Sequence, residues 1–353
     1  MKTVTIVDPN ADTRWDDFVI AHPYGQICHL SGWKTVLEKS FPHMQPYYLT
    51  IEDDGAIEAS LPLYCVGSLL KPKRLISIPF ATLTDPLAQS SADLEILLHQ
   101  AVRLLATCKA TYLDISTVHA ATLFKGLPFA ESIRYAYHYL PLVDTPDALM
   151  HAFHRTCVRQ KITRACRCDF RLRKADHVSD ISTFYQLYSL TRKRLGLPPQ
   201  PVRFFESLWD VFSPDGTIEI LLAYQDKKPI AGLLLFRFKD RVSAEYLGYD
   251  AEYANDGPHH FLFWEAIKSA YHDRYSVFDF GRTALTNEGL MTFKSRWGTR
   301  ESHLRQFYYP ETMFSEKQSN HESFLHRVAQ TLCQNTPEVV LRHVGGVCYR
   351  ILW

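Results

Sequence analysis

The stretch Val242–Phe280, VSAEYLGYDAEYANDGPHHFLFWEAIKSAYHDRYSVFDF, decides the fold. Val242–Tyr249 reads as a strand, rich in aromatic and apolar residues. Ala254–His260 (ANDGPHH) gathers Asn, Asp, Gly and Pro, the residues that turn a chain. Phe261, Trp264, Ile267 and Lys268 recur at helical spacing over Phe261–Tyr271. Val277–Phe280 (VFDF) is a short buried strand. Strand, turn, helix and strand in that order predict two parallel strands joined by a crossover helix.

Working outward, Ile218–Tyr224 and Pro229–Phe238 flank the polar turn Gln225–Lys228 and predict a hairpin ahead of the Val242 strand. Helical periodicity over Thr183–Leu195 and Phe204–Phe212 precedes it. The first half repeats this order. Ser31 is a plausible cap for a helix carrying Trp33, Val36 and Leu37. Tyr47–Glu52, the turn Asp53-Asp54-Gly55 and Ile57–Val66 form a hairpin. Leu94, Leu97, Leu98, Ala101, Val102 and Leu105 line a helix that leads to the strand Thr111–Ile115. We therefore expect an α/β chain with mixed sheets, built as tandem lobes over residues 1–146 and 147–310. The break falls at the turn-rich Asp144–Asp147. Residues 311–353 read as a terminal tail of one or two helices, broken at Pro337 and Gly345-Gly346.

Composition narrows the class. The 353 residues are 46% hydrophobic, enough for a sizeable core. A net charge of +1 gives the whole molecule no bias toward nucleic acid or membrane, and no DNA partner is expected. No signal peptide and no transmembrane run are read, so a cytoplasmic protein is expected. The eight cysteines read as reduced thiols. His151, His154, Cys157, Cys166 and Cys168 fit no familiar ligand spacing and sit among cations, so no metal is expected.

Several charged residues invite chemistry. Arg155, Arg159, Lys161, Arg164, Arg167, Arg171, Arg173 and Lys174 stand against one acid, Asp169. Arg164, Arg167 and Arg171 follow helical spacing. Such a run is a solvated helix face, or a surface for a tRNA backbone, an anionic lipid or a phosphorylated acceptor. Arg282 could hold a phosphate or carboxylate, or pair with Asp279 or Glu245. Glu245 and Asp279 are candidate bases, or anchors for those cations. No nucleophile elbow is present, so no covalent enzyme intermediate is expected.

Five segments carry a family resemblance: HPYGQ at 22–26, GWKTVLEKSF at 32–41, TRKRLGLPPQPVRFF at 191–205, FDFGR at 278–282 and GLMTFKSRWG at 289–298. In order and spacing they resemble the Fem family of aminoacyltransferases, whose lobes are of the GNAT acyltransferase type. The likeness covers residues 15 to 310 and is nearer to Fem-like proteins of envelope glycan systems than to dedicated peptidoglycan-bridge enzymes.

The resemblance implies transfer of an acyl or aminoacyl group, with aminoacyl-tRNA as family donor, onto an amine of a cell-envelope glycan or peptide precursor. It implies work at the cytoplasmic face, with possible peripheral contact with the inner membrane. Phe293 and Lys294 match the family's catalytic pair, the lysine stabilising charge during transfer; Lys294 reads as lying in a loop after the strand, with Gly289 and Gly298 nearby. Tyr246 matches an acceptor contact, and Arg194 and Lys34 lie in segments implied to touch substrate. Gln200 and Phe204 stand where peptidoglycan members carry an arginine and a tyrosine, which weakens the case for a UDP-linked acceptor. Asn255, Gly257 and His259 lie in the loop that would meet the donor at a helix start. CoA-using members place a glycine-richer loop there. This chain offers Gly257 followed by Pro258, which disfavours acyl-CoA. Donor and acceptor are expected in the second lobe or the groove between lobes, with the first lobe mainly scaffold. No cofactor is expected. The alternatives are an acyl-CoA-dependent N-acyltransferase acting on an amino sugar, and a non-catalytic GNAT-like binding module in envelope assembly.

Overall fold

The structure is a computed structural model that describes residues 2–68, 71–313, 330–331 and 333–352. In chain order, the first elements are β1 (Thr3–Val7), α1 (Trp15–Ala21), α2 (Ser31–Ser40), β2 (Gln45–Asp53), β3 (Ala56–Val66), β4 (Arg74–Ile76), α3 (Ser91–Cys108) and β5 (Leu113–Thr117). Next come β6 (Ala130–Pro141), α4 (Pro146–Ala152), α5 (Gln160–Cys166), β7 (Arg171–Lys174), α6 (Val178–Arg194), α7 (Val202–Phe212), β8 (Ile218–Gln225) and β9 (Lys228–Phe238). The last are β10 (Arg241–Tyr249), α8 (Pro258–His272), β11 (Val277–Ala284), α9 (Glu288–Ser295), β12 (Arg300–Tyr309) and α10 (Glu338–Leu352). Among the described residues no helix is long and apolar enough to cross a membrane.

The chain forms two compact units. The first holds the described residues up to 135, with 303–313 and 347–352. The second holds 136–302, with 330–331 and 333–346. The division falls inside β6, after Tyr135.

In the first unit β1, β2, β3 and β4 pair antiparallel, β4 pairs parallel with β5, and β5 pairs antiparallel with β12. The β2–β3 turn is Asp54-Gly55, both at positive φ (45° and 80°), the backbone a two-residue hairpin demands. α3 starts where the Ser90 hydroxyl accepts from the Asp93 N–H. It buries Leu94, Leu97, Leu98 and Ala101 against Leu49, Leu61, Leu63, Leu113 and Ile115.

In the second unit β7, β8, β9 and β10 pair antiparallel, and β10 pairs parallel with β11 through the α8 crossover. α8 packs Leu262, Ala266, Ile267 and Ala270 onto Leu233, Leu235, Val242 and Phe278. On the opposite face α6 closes onto β10 at Gly248, where a Cβ would lie 2.2 Å from the Tyr188 amide nitrogen. Glycine is required there by proximity.

Three expectations need correction. The basic run is not one helix. A π-helical turn over Arg155–Arg159 leads into α5, and Asp169, at φ 50°, turns the chain into strand β7. Arg171 therefore sits on a strand opposite Tyr224. Lys294 is on helix α9, not in a loop, because the Asn287 side chain accepts from the Leu290 N–H and starts a helix. α10 runs unbroken through Gly345-Gly346. Gly345 is small because a Cβ would lie 2.4 Å from the Pro199 carbonyl oxygen. Pro337 does precede that helix. The part of the expected tail over 314–329 lies outside the described residues.

Candidate functional site

The site begins where two strands part. β10 and β11 pair from Arg241↔Val277 to Ser243↔Asp279. Beyond that pair β10 continues to Tyr249 and β11 to Ala284, each without the other. The opening coincides with a bulge, since β10 slips against β9 between Ala244 and Tyr246 and leaves Glu245 without a partner. The slip changes which way the side chains point. Val242, Ala244, Leu247 and Tyr249 face the α8 core. Ser243 turns the other way to Asp279. Tyr246 also turns away, to α6 and α7, so the bulge sets Glu245 and Tyr246 side by side.

Lys294 enters this region from α9 and is 5% exposed. Its Nζ donates to the carbonyls of Gly281 at 2.9 Å and Arg282 at 3.0 Å. Burial lowers its pKa to about 8, against the opposing pull of Asp279 and Glu245. The neighbouring Phe293 ring packs among His260 (5.8 Å between centroids), Phe263 (6.1 Å) and Trp297 (6.3 Å), which fixes the helix face that turns Lys294 inward. Asp279 is buried and fully engaged. It accepts from the Gly281 N–H at 2.6 Å, from Ser243 Oγ at 3.3 Å and from the Tyr137 hydroxyl, with Arg241 at 3.8 Å. Burial pushes its carboxyl up, and Arg241 pulls it back. Burial likewise pushes Glu245 up to about 8, reinforced by Asp279 and opposed by Arg282 and Lys294. His138, on β6, places Nε2 3.3 Å from Met291 Sδ. Burial and Lys294 hold its pKa down to about 4, so the ring is neutral.

Around Tyr246 the wall is aromatic, with Tyr188 (5.8 Å), Phe204 (6.0 Å) and Phe205 (5.2 Å) edge-on to its ring. Phe204 has no exposed surface. Gln200 is buried too; its carbonyl accepts from Tyr185 at 3.0 Å and its side chain from the Tyr188 hydroxyl. Both residues shape the wall from behind. Arg194 covers the Tyr249 ring at 4.2 Å. Arg282 is exposed at the mouth. Lys34 is in the first unit, on α2, where Nζ bonds Glu38 at 2.6 Å and Asp8 at 3.3 Å.

At the other side of β10, Asn255 lies in a 3-10 turn over Ala251–Asp256. Gly257, at φ 73°, turns the chain into α8. A Cβ there would meet the Lys161 carbonyl oxygen at 3.4 Å. His259 stacks on Tyr249 at 4.9 Å, and His260 stacks on Trp297 at 5.7 Å while its Nε2 lies 3.1 Å from the Cys157 carbonyl. Burial lowers their pKa values to about 3 and about 4, so both rings are neutral. Their Nδ1 atoms are buried without a partner among the described residues. Of the basic residues, Arg164 pairs with Asp256 of this loop at 2.9 Å, while Arg167 and Arg171 are exposed and carry no ion pair among the described residues.

The structure thus brings Lys294 and Arg282 together with Glu245 and Asp279, packs Phe293 against His259 and His260 at the start of α8 beside Asn255 and Gly257, and sets Tyr246 on the other face of β10 against α6 and α7. Sequence reasoning missed Tyr137, His138, Ser243 and Arg241. Two of these sit on β6, whose alternating Tyr135, Tyr137 and Tyr139 carried a strand signal.

Comparison with known proteins agrees with this architecture. Residues 152–295 match the family model described as an acetyltransferase (GNAT) domain. The chain is 25% identical over 238 residues to a lipid II:glycine glycyltransferase of Staphylococcus saprophyticus, spanning 62% of this chain and 56% of that protein. It is 21% identical over 322 residues to the UDP-N-acetylmuramoylpentapeptide-lysine N(6)-alanyltransferase of Weissella viridescens, spanning 83% of this chain and 91% of that one. The crystal structure of FemX superposes with a TM-score of 0.70 at 16% identity, over 92% of this chain and 100% of FemX, a likeness of fold. Splayed strands and the α8 crossover agree with the acetyltransferase (GNAT) domain matched over residues 152–295, and the chain as a whole is similar to Fem-type aminoacyltransferases.

Proposed function

We propose that the protein is an acyltransferase that moves an aminoacyl group, activated as the ester of a tRNA, onto an amine of a peptidoglycan-type envelope precursor. The observation that carries this reading is Lys294, a buried ammonium held by two carbonyls at the mouth of the splayed strands. Attack of an amine on an ester carbonyl builds negative charge on the carbonyl oxygen and then on the leaving oxygen. An ammonium fixed in a partly dry cleft is suited to both charges. Phe293 holds the helix face that presents it, and Tyr246 with its aromatic wall gives the acceptor a surface beside the reacting centre. The relatives named for glycyl and alanyl transfer, the latter onto a lysine amine, support the same class.

In this reading the lobe over 147–310 carries the reaction, the lobe over 1–146 is mainly scaffold, and the described part of 311–353 adds the helix α10. The polyanionic donor runs from the Asn255–His259 loop along Arg164, Arg167 and Arg171. Pro258 removes an N–H from the first turn of α8, which weakens a pyrophosphate cradle and makes acyl-CoA transfer to an amino sugar the second reading. The enzyme works in the cytoplasm, with peripheral contact at the inner membrane when the acceptor is lipid-linked. The test is mass spectrometry of products from purified protein with glycyl-tRNA, alanyl-tRNA or acetyl-CoA, against the lysyl pentapeptide precursor or glucosamine. An aminoacylated precursor made only from charged tRNA supports the reading; acetylated glucosamine alone overturns it.

A further inference from the structure

Acyl transfer to an amine leaves a proton to place. As the C–N bond forms, the nitrogen becomes positive and must lose a proton before the intermediate can collapse toward product. Asp279, Glu245 and His138, which lie near Lys294, and Tyr137, bonded to Asp279, are the groups of the second unit that could receive it. Asp279 is spent on Gly281, Ser243, Tyr137 and Arg241. Tyr137 is a buried hydroxyl bonded to Asp279 and Arg241. His138 is 1% exposed and its Nε2 faces Met291. Glu245 differs from all three. Among the described residues it makes no hydrogen bond and no ion pair, it keeps part of its surface open, and the bulge sets it next to Tyr246.

We propose that Glu245 is the proton acceptor of the transfer, a catalytic residue that takes the amine proton at its carboxylate while Lys294 serves the oxygen side. This rests on the acyl-transfer reading. The amine lone pair forms the C–N bond, and the carbonyl oxygen gains the charge that Lys294 faces. Glu245 takes the N–H proton. The ester C–O bond then breaks, and the leaving oxygen takes a proton from Lys294 Nζ. The carboxyl and amine left behind are both neutral, and the proton returns from Glu245 to Lys294 by way of solvent. The net movement is one proton from amine to alcohol, with no oxidant or cofactor. The desolvation that pushes Glu245 up and Lys294 down brings both near 8, which makes the two protonation states of the pair close in energy. The groups that face Glu245 and tune this are Asp279 and Arg282 of β11, Lys294 of α9 and Tyr137 of β6.

The experiment uses the full chain with alanyl-tRNA or glycyl-tRNA and UDP-N-acetylmuramoyl-pentapeptide-lysine. Wild type, Glu245→Gln and Glu245→Asp are compared in single turnover from pH 6 to 9.5. The carboxyl is read directly as the protonated-acid band in infrared difference spectra. We expect Glu245→Gln to lower the rate by about 10²–10⁴-fold, to lose the rate limb near pH 8, and to lose the acid band. Glu245→Asp should recover part of the rate with that limb displaced. Gln keeps the shape and breaks no hydrogen bond, so the fold should survive. A Glu245→Gln rate within about threefold of wild type with a parallel pH profile overturns the assignment while leaving acyl transfer intact. A wild type that turns over neither donor overturns the transfer reading itself, and the proposal with it.

Discussion

Lys294→Met separates charge from packing, because Met keeps most of the stem. At 4 Å and an effective dielectric near 20, an ammonium and a unit oxyanion attract by about 4 kcal/mol. Loss of one such donor typically costs about 3–4 kcal/mol, a fall in kcat of about 10²–10³. Stability should move much less. The lysine pKa falls from 10.5 to about 8 on folding, so wild type loses stability as pH drops from 10.5 to 8 and stays level below. At neutral pH, deleting the charge relieves about 3 kcal/mol. Against this, the Gly281 and Arg282 carbonyls lose their donor, at about 1–2 kcal/mol each. The two nearly cancel, so urea unfolding at pH 7 should shift by less than about 1–2 kcal/mol. At pH 10.5 the relief is gone and the variant should be the less stable. Steady-state kinetics with the true donor and acceptor should show kcat falling far more than KM rises. A variant turning over within about threefold of wild type, or one unfolded at pH 7, would refute this reasoning.

Glu245→Gln carries a stability signature of its own. The folded carboxyl titrates near 8 against 4.5 for the free group, so the wild-type fold weakens as pH rises from 4.5 to 8. Discounted for partial exposure, the variant should match wild type at pH 4.5 and exceed it by about 2 kcal/mol at pH 8.5 in urea unfolding, and a pH-independent difference would contradict this. Changing Arg164, Arg167 and Arg171 to Gln should weaken binding of charged tRNA and flatten its salt dependence, most of the effect coming from Arg167 and Arg171 because Arg164 is tied to Asp256. An unchanged salt slope in a filter-binding titration would return these residues to a solvated face. Gly248→Ala should destabilise by about 3 kcal/mol or more, since a Cβ 2.2 Å from the Tyr188 nitrogen forces α6 off the sheet; a thermal midpoint within 2 °C, set against the 2–4 °C expected per kcal/mol, would contradict it.

Local chemistry made much of this readable. Asp54-Gly55 and the ANDGPHH loop name their own turns, and the Phe261–Tyr271 stripe names its helix. The Phe293-Lys294 pair could be found by resemblance, though its helix could not, because the deciding cap is the side chain of Asn287. The bulge at Glu245 was hidden for a different reason. It depends on the register of β9, and nothing within VSAEYLGY marks the slip. Asp279's partners come from β6, β10 and β11, and only the fold brings Tyr137 and Arg241 to it. The basic run misled because charge spacing was read as helix over a segment that Asp169 turns.

The contact of Gly345 with the Pro199 carbonyl ties two distant stretches of gene together. Pro199 precedes Gln200, whose side chain accepts from Tyr188, and Tyr188 leans edge-on against Tyr246. Any side chain at position 345 would have to be matched by a shift of the Pro198–Pro201 loop, and that shift would reach the aromatic wall around Tyr246. As this lineage diversifies toward other acceptors, substitutions around 199–201 should therefore be inherited together with substitutions around 345–346.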